Sequence, residues 1–232
     1  MINILWLYND LLDLYGDHGN ITALTYQLDY LKVDYKIDKK NVYDELDFSK
    51  YNLVYIGPGK DKNLLRATEH LNGYADAVKF AIENGVLFFV TGNAQLLFGK
   101  SIKTEDGTDV PALGIFDYTG ELTGQVFIDD FVAVPKFDGA TPIYGFINRT
   151  ANLLGSTPSP LFEIKYSQKD IGEVEGTIYK NFFGTFALGP VLAKNPNLLK
   201  TVLEILLDKT DIELDDELML EAQARTLKEF DI

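Results

Sequence analysis

Cysteine is absent from the 232 residues. That absence removes disulfides, thiolate metal sites, iron–sulfur clusters and every thiol nucleophile together. Histidine is nearly absent as well, with only His18 and His70, so imidazole acid–base chemistry or metal ligation has very few places to occur. Basic residues are outnumbered, 21 against 35 acidic, for a net charge of -14. A field of that sign repels phosphate backbones and anionic membranes, and nucleic acid is not an expected partner. No run approaches the roughly 20 apolar residues a membrane helix needs, and the charge-poor amino terminus lacks the basic flank of a signal peptide. The expectation is a cytoplasmic protein without a membrane-inserted segment.

What is present is a chain 46% apolar and 24% charged, enough to bury a core as one domain over residues 1–232 with a C-terminal helix. The near-continuous apolar run from Ile2 to Tyr8 reads as a central strand. Past the turn-rich Tyr15-Gly16-Asp17-His18-Gly19-Asn20, the residues Ile21, Leu24, Leu28 and Leu31 recur at helical spacing, with Asn20 expected as N-cap. A second strand is expected around Val33 to Ile37, and a third over Leu53 to Ile56, running into Gly57-Pro58-Gly59. Leu71, Ala75, Val78 and Ile82 mark a helix stopping at Asn84-Gly85, and Val86 to Val90 form another buried strand.

Strands alternating with helices at this spacing predict an α/β fold, a three-layer, open, mostly parallel sheet with helices on both faces. Short runs at 125–134, 143–147 and 162–166 suggest antiparallel strands that extend the sheet. Helices are expected near 197–207 and 215–230. The apolar side of the last, with Met219, Ala222 and Phe230, suits docking on its own domain or on another subunit.

Ligands of open parallel sheets sit at the carboxyl ends of strands, which directs attention to two turns. Gly57-Pro58-Gly59-Lys60-Asp61 follows one buried strand; its glycines either aim N–H groups at an anion or simply permit close packing. No Gly-Lys-Ser or Gly-Lys-Thr follows, so this is not a nucleotide-binding Walker loop. The other turn, Thr91-Gly92-Asn93-Ala94-Gln95, has the strand-to-helix form of a nucleophile elbow, but with Thr91 where a serine or cysteine would stand. A β-branched residue at positive φ is costly, so either the turn is relaxed or Thr91 is strained. Lys60 and Asp61 read as a solvated pair, His18 as a loop histidine, and Asn148-Arg149 as surface residues or as a contact for an anionic partner. Most of the 13 Tyr and 15 Phe should serve core packing.

The ordered series Asp13-Leu14-Tyr15-Gly16-Asp17-His18-Gly19-Asn20-Ile21, Gly57 to Asp61, the elbow with Gln95, Leu122-Thr123-Gly124, Gly145-Phe146-Ile147-Asn148 and Gly184 to Pro190 spans nearly the whole chain. In this it resembles class I glutamine amidotransferases of the cobyric acid synthase-like group, and within them the GatD-type subunits of lipid II isoglutaminyl synthase. The resemblance implies a flavodoxin-like amidotransferase domain and a MurT-type, Mur-ligase-like partner in amidation of the peptidoglycan stem. No cofactor is implied. It also implies that Gly57, Pro58, Gly59 and Gly92 form an oxyanion-type loop, and that Asn93, Gln95, Glu121 and Asn148 border a glutamine pocket.

The departures lie at the reacting positions. Against the family's Cys-Gly-Gly-Tyr-Gln this chain has Thr91-Gly92-Asn93-Ala94-Gln95, and against Gly-Thr-Tyr-Leu-His-Gly-Pro it has Gly184 to Pro190 with Leu188 in place of the histidine. Where an arginine commonly precedes Leu-Thr-Gly, Glu121 precedes Leu122 and would repel a substrate carboxylate. Glutamine hydrolysis through a thioester needs a thiolate, a base and N–H donors for the oxyanion. Only the donors remain, in outline, so a binding or scaffolding subunit without glutaminase activity is expected. The alternatives are a glutaminase of the cobyric acid synthase type using Thr91 as nucleophile, and a sensor holding a small molecule in the vacated pocket.

Overall fold

The computed structural model describes residues 1–137 and 141–230. The first half contains β1 (Ile2–Leu7), α1 (Gly19–Tyr30), β2 (Tyr35–Lys40), β3 (Leu53–Ile56), α2 (Asp61–Asn72), α3 (Ala75–Glu83) and β4 (Leu87–Thr91), with a tight 3₁₀ segment at Gly92–Phe98. Then come β5 (Ser101–Lys103), β6 (Asp109–Pro111), β7 (Thr119–Pro135), β8 (Ile143–Leu154), β9 (Phe162–Ser167), β10 (Val174–Glu175), β11 (Thr177–Tyr179) and β12 (Phe182–Thr185). The chain closes with α4 (Val191–Lys194), α5 (Pro196–Leu207) and α6 (Glu217–Lys228).

The main sheet has the order β11-β12-β4-β3-β1-β2. Its pairs are parallel except the edge pair β11–β12. β3 and β4 are buried at every residue, which is why they read as unbroken apolar runs. The chain steps from β1 outward to β2 and then, in the other direction, through β3 to β4. Right-handed crossovers therefore place α1 on one face and α2 with α3 on the other. The expected α/β architecture with helices on both faces is what the chain adopts.

Four local expectations are corrected. The second strand begins at Tyr35 rather than Val33 because Val33 N–H is spent on Leu28 O, closing α1 through the left-handed Lys32. The helix drawn through Leu71, Ala75 and Ile82 is two helices, broken at Gly73 and the non-helical Tyr74; the i+3/i+4 spacing crosses the break unchanged, so periodicity hides it. His18, not Asn20, precedes the first turn of α1, and Asn20 Oδ1 instead accepts from Leu192 N–H at 2.8 Å. Strands β5 to β10 form a second, mostly antiparallel sheet, β10-β9-β7-β5-β6 with β8 on β7, rather than prolonging the first.

Aromatic rings pack the main sheet against the segments that lead into the second. Phe182 of the main sheet lies 4.6 Å from Phe98 and 4.8 Å from Phe116, ring centre to ring centre. α6 docks on its own chain: Gln223 is buried and donates to Asn195 Oδ1 and Pro142 O, while Phe230 meets Tyr144 and Tyr166. Among the described residues no helix is long and apolar enough to cross a membrane.

Candidate functional site

The parallel strands deliver Thr91, Thr185 and Ile56 side by side at the carboxyl edge of the sheet, Thr185 registering with Thr91 and Ile56 with Val90. Thr91 is the last residue of β4, extended at φ -117° and ψ 152° and fully buried. The strain considered for it is absent. The left-handed residue of the turn is Gly92, at φ +61°, one position past Thr91, so the apex of the turn carries no side chain. A Cβ built on Gly92 would lie 2.6 Å from Pro58 Cβ and 3.0 Å from Leu188 Cδ2. Leu188, buried and tied to Phe146 O through its N–H at 2.8 Å, thus closes over the elbow.

Thr91 lies against a buried carboxyl group. Its hydroxyl donates to Asp17 Oδ2, which also accepts from Tyr55 OH, and Asn20 Nδ2 reaches the same tyrosine oxygen at 3.5 Å. Asp17, Thr91, Tyr55 and Asn20 are all buried. Burial pushes the Asp17 carboxyl up from 3.8 to about 6, against the pull of its hydroxyl donors. Asp17 Oδ1 is buried without a partner.

The Gly57-Pro58-Gly59 turn is covered by the loop after β1. A Cβ on Gly57 would meet Leu12 O at 2.8 Å, and one on Gly59 would meet Leu12 Cδ2 at 2.1 Å. Close approach of backbone therefore accounts for both glycines. The N–H of Gly59, in the loop expected to be of oxyanion type, is already given to Asn93 Oδ1 at 3.0 Å, while Asn93 Nδ2 returns a bond to Gly59 O at 2.7 Å.

The remaining pocket residues separate. Gln95 is buried beneath the turn, its Nε2 on Gly92 O at 3.5 Å and its Oε1 without a partner. Glu121 sits on β7 opposite Asn152, and Asn148 on β8 opposite Ile128; no side-chain hydrogen bond among the described residues ties either to Asn93 or Gln95. Asp61 is not in a solvated pair with Lys60: it faces Asn93 Nδ2 at 3.4 Å and Thr150 Oγ1 at 3.3 Å. Beside it a groove of about 890 Å³ opens between α2 and the β5–β6 hairpin, with Leu65, Asn72, Thr108 and Leu122 among its walls. His18 is exposed and bonded to Asp13, and His70 holds Tyr8 OH at 2.8 Å, so neither imidazole meets the elbow residues. Sequence reasoning missed Asp17, for nothing in a turn-rich string marks one acidic residue as buried; only the rarity of buried aspartates makes it stand out afterwards.

A parallel sheet whose fourth strand turns through a left-handed glycine, flanked by a glycine turn and a Gly-Pro loop, is an open α/β fold with its candidate site at the carboxyl edge of the sheet. The match to the CobB/CobQ-like glutamine amidotransferase domain extends over residues 3–196, and the chain belongs to that family. It is 30% identical over 223 residues to the lipid II isoglutaminyl synthase (glutamine-hydrolyzing) subunit GatD of Streptococcus pneumoniae, covering 92% of this chain and 84% of that protein. It is also 30% identical over 235 residues to the subunit of the same name from Staphylococcus aureus, covering 96% and 93%. Among solved structures, a glutamine amidotransferase superposes with a TM-score of 0.55 at 17% identity, over 87% of this chain and 98% of that one. One from Thermotoga maritima gives 0.52 at 13%, over 98% and 92%.

Proposed function

We propose that this chain is the amidotransferase-type subunit of a lipid II-amidating enzyme, bound to a MurT-type Mur-ligase-like partner, and that it does not hydrolyse glutamine. Its relatives bear the name of glutamine-hydrolyzing subunits, whereas this chain lacks the cysteine that a thioester requires. The observation that carries the reading is the closed elbow: Gly92 offers no side chain, and the volume above it is taken by Pro58 and Leu188. The Asn93 clamp on Gly59 supports it further, since an N–H already bonded at 3.0 Å gives little to a developing oxyanion. What the fold then retains is surface, and recognition of a partner needs no more.

One observation favours a second reading, a threonine nucleophile: Thr91 Oγ1 donates to the Asp17 carboxylate, the arrangement of a hydroxyl and its base. Both groups are fully buried, so no substrate carbonyl reaches the hydroxyl, and the pair acts as a structural hydrogen bond. The experiment is co-expression with the Mur-ligase-like protein of the same genome. Co-purification as a complex releasing no glutamate from glutamine is expected. Failure to co-purify removes the partnership, and glutamate release lost in Thr91→Ala restores the threonine enzyme.

A further inference from the structure

Arg149 is not the surface residue its sequence context suggests. It lies on β8 between Asn148 and Thr150, and while Thr150 turns to Asp61 beside the elbow, Arg149 packs its guanidinium over Phe186 at 4.6 Å and Phe127 at 5.4 Å. Packing on two rings holds the guanidinium in place. Its Nε is buried without a partner, and among the described residues Arg149 makes no ion pair. Buried donors left unbonded are rare in folded proteins and call for a reason.

The reason is beside it. Arg149 lines a cavity of about 350 Å³, within the range of small-ligand sites, together with Asn152, Thr157, Val174, Glu175 and Phe186. Glu175 is buried, its oxygens accepting from Thr185 Oγ1 and Phe186 N–H, both at 2.7 Å. These two donors fix the carboxylate as firmly as the rings fix the guanidinium. Each charge acts on the other, yet they are not within ion-pair distance. The cavity therefore has a cationic fork and a carboxylate on its wall, with neither neutralising the other directly.

We propose that this cavity is a binding site for a small amino-acid-type zwitterion, its carboxylate on the Arg149 guanidinium and its ammonium toward Glu175. A guanidinium fork matches a carboxylate with two parallel bonds, and bringing in one group of each sign leaves the net charge of the site unchanged. Val174 and Ile171 supply apolar wall for a side chain. None of residues 57–59, 91–95 or 188 borders the cavity, so the proposal stands whatever becomes of the elbow.

The test is nuclear magnetic resonance titration of the full chain with glycine, L-alanine and L-valine, alongside acetate and methylammonium. The expected result is saturable shifts of the Arg149 Nε–H and the Phe186 amide for the amino acids, with the single-charge probes at least about tenfold weaker, as for a site whose buried polar groups they leave unpaired. Glu175→Gln should bring the amino acids down to the level of acetate. Arg149→Lys, which keeps charge and stem but loses the fork, should weaken all carboxylates. Absence of saturation, equal binding of acetate and glycine, or shifts confined to residues 57–59 and 91–95 would overturn the proposal. The wild-type Nε–H readout decides the matter even if both variants fail to fold.

Discussion

The side-chain amide of Asn93 and the backbone of Gly59 form a reciprocal pair, N–H to Oδ1 at 3.0 Å and Nδ2–H to C=O at 2.7 Å. The turns after β3 and β4 are thereby joined to each other. Asn93→Ala leaves a buried N–H and C=O unpaired and should cost about 1–3 kcal/mol in urea unfolding. On the proposed reading it should also fail to create glutaminase activity, because it supplies no nucleophile; appearance of glutamate would show that the clamp alone suppresses chemistry.

Gly92→Ala tests the closed elbow. The substitution meets a positive φ and Cβ contacts of 2.6 Å with Pro58 and 3.0 Å with Leu188, so a loss of about 1–3 kcal/mol is expected. Leu188→Ala in the same chain removes the leucine contact but leaves the backbone strain and Pro58. A double-mutant cycle should give a nonzero coupling of about 0.5 kcal/mol or more; strict additivity would mean that the leucine does not press on the turn.

Asp17 gives stability a pH dependence of definite sign. Its carboxyl titrates near 6 in the fold against an ordinary 3.8, so the folded state holds the proton more tightly. The corresponding stabilisation is complete below 3.8 and lost as pH rises through about 6. A shift of this size is on the order of 3 kcal/mol. Asp17→Asn keeps an acceptor for Thr91 and Tyr55 without the charge. The difference in unfolding free energy between variant and parent should therefore grow in the variant's favour between pH 4 and 6 and flatten above. A difference independent of pH would place the titration elsewhere.

Gln223→Ala should loosen the last helix. It removes the donor to Asn195 Oδ1 and Pro142 O and leaves a buried acceptor short of a partner, worth about 1–2 kcal/mol. Amide exchange across residues 217–228 should rise by about tenfold or more if the helix opens separately; unchanged exchange there would assign its attachment to Phe230 with Tyr144 and Tyr166.

The amino-acid sequence by itself determined the parallel sheet and the lack of sulfur chemistry. Leu53 to Ile56 and Val86 to Val90 are apolar without interruption, and only a strand covered on both faces demands that. The ordered glycine turns carried the family, and the missing cysteine needed no coordinates at all. Tertiary structure alone decided which residues those turns bring together. Thr91 and Asp17 are 74 positions apart, Gly59 and Asn93 are 34 apart, and Arg149 on β8 meets Phe186 past the end of β12. A local pattern records which face a residue takes; it does not record what waits on that face, because burial and hydrogen-bond partners are set by segments distant in the chain. For that reason Asp17 and Arg149 read as loop and surface residues, whereas the fold buries the first and half-buries the second.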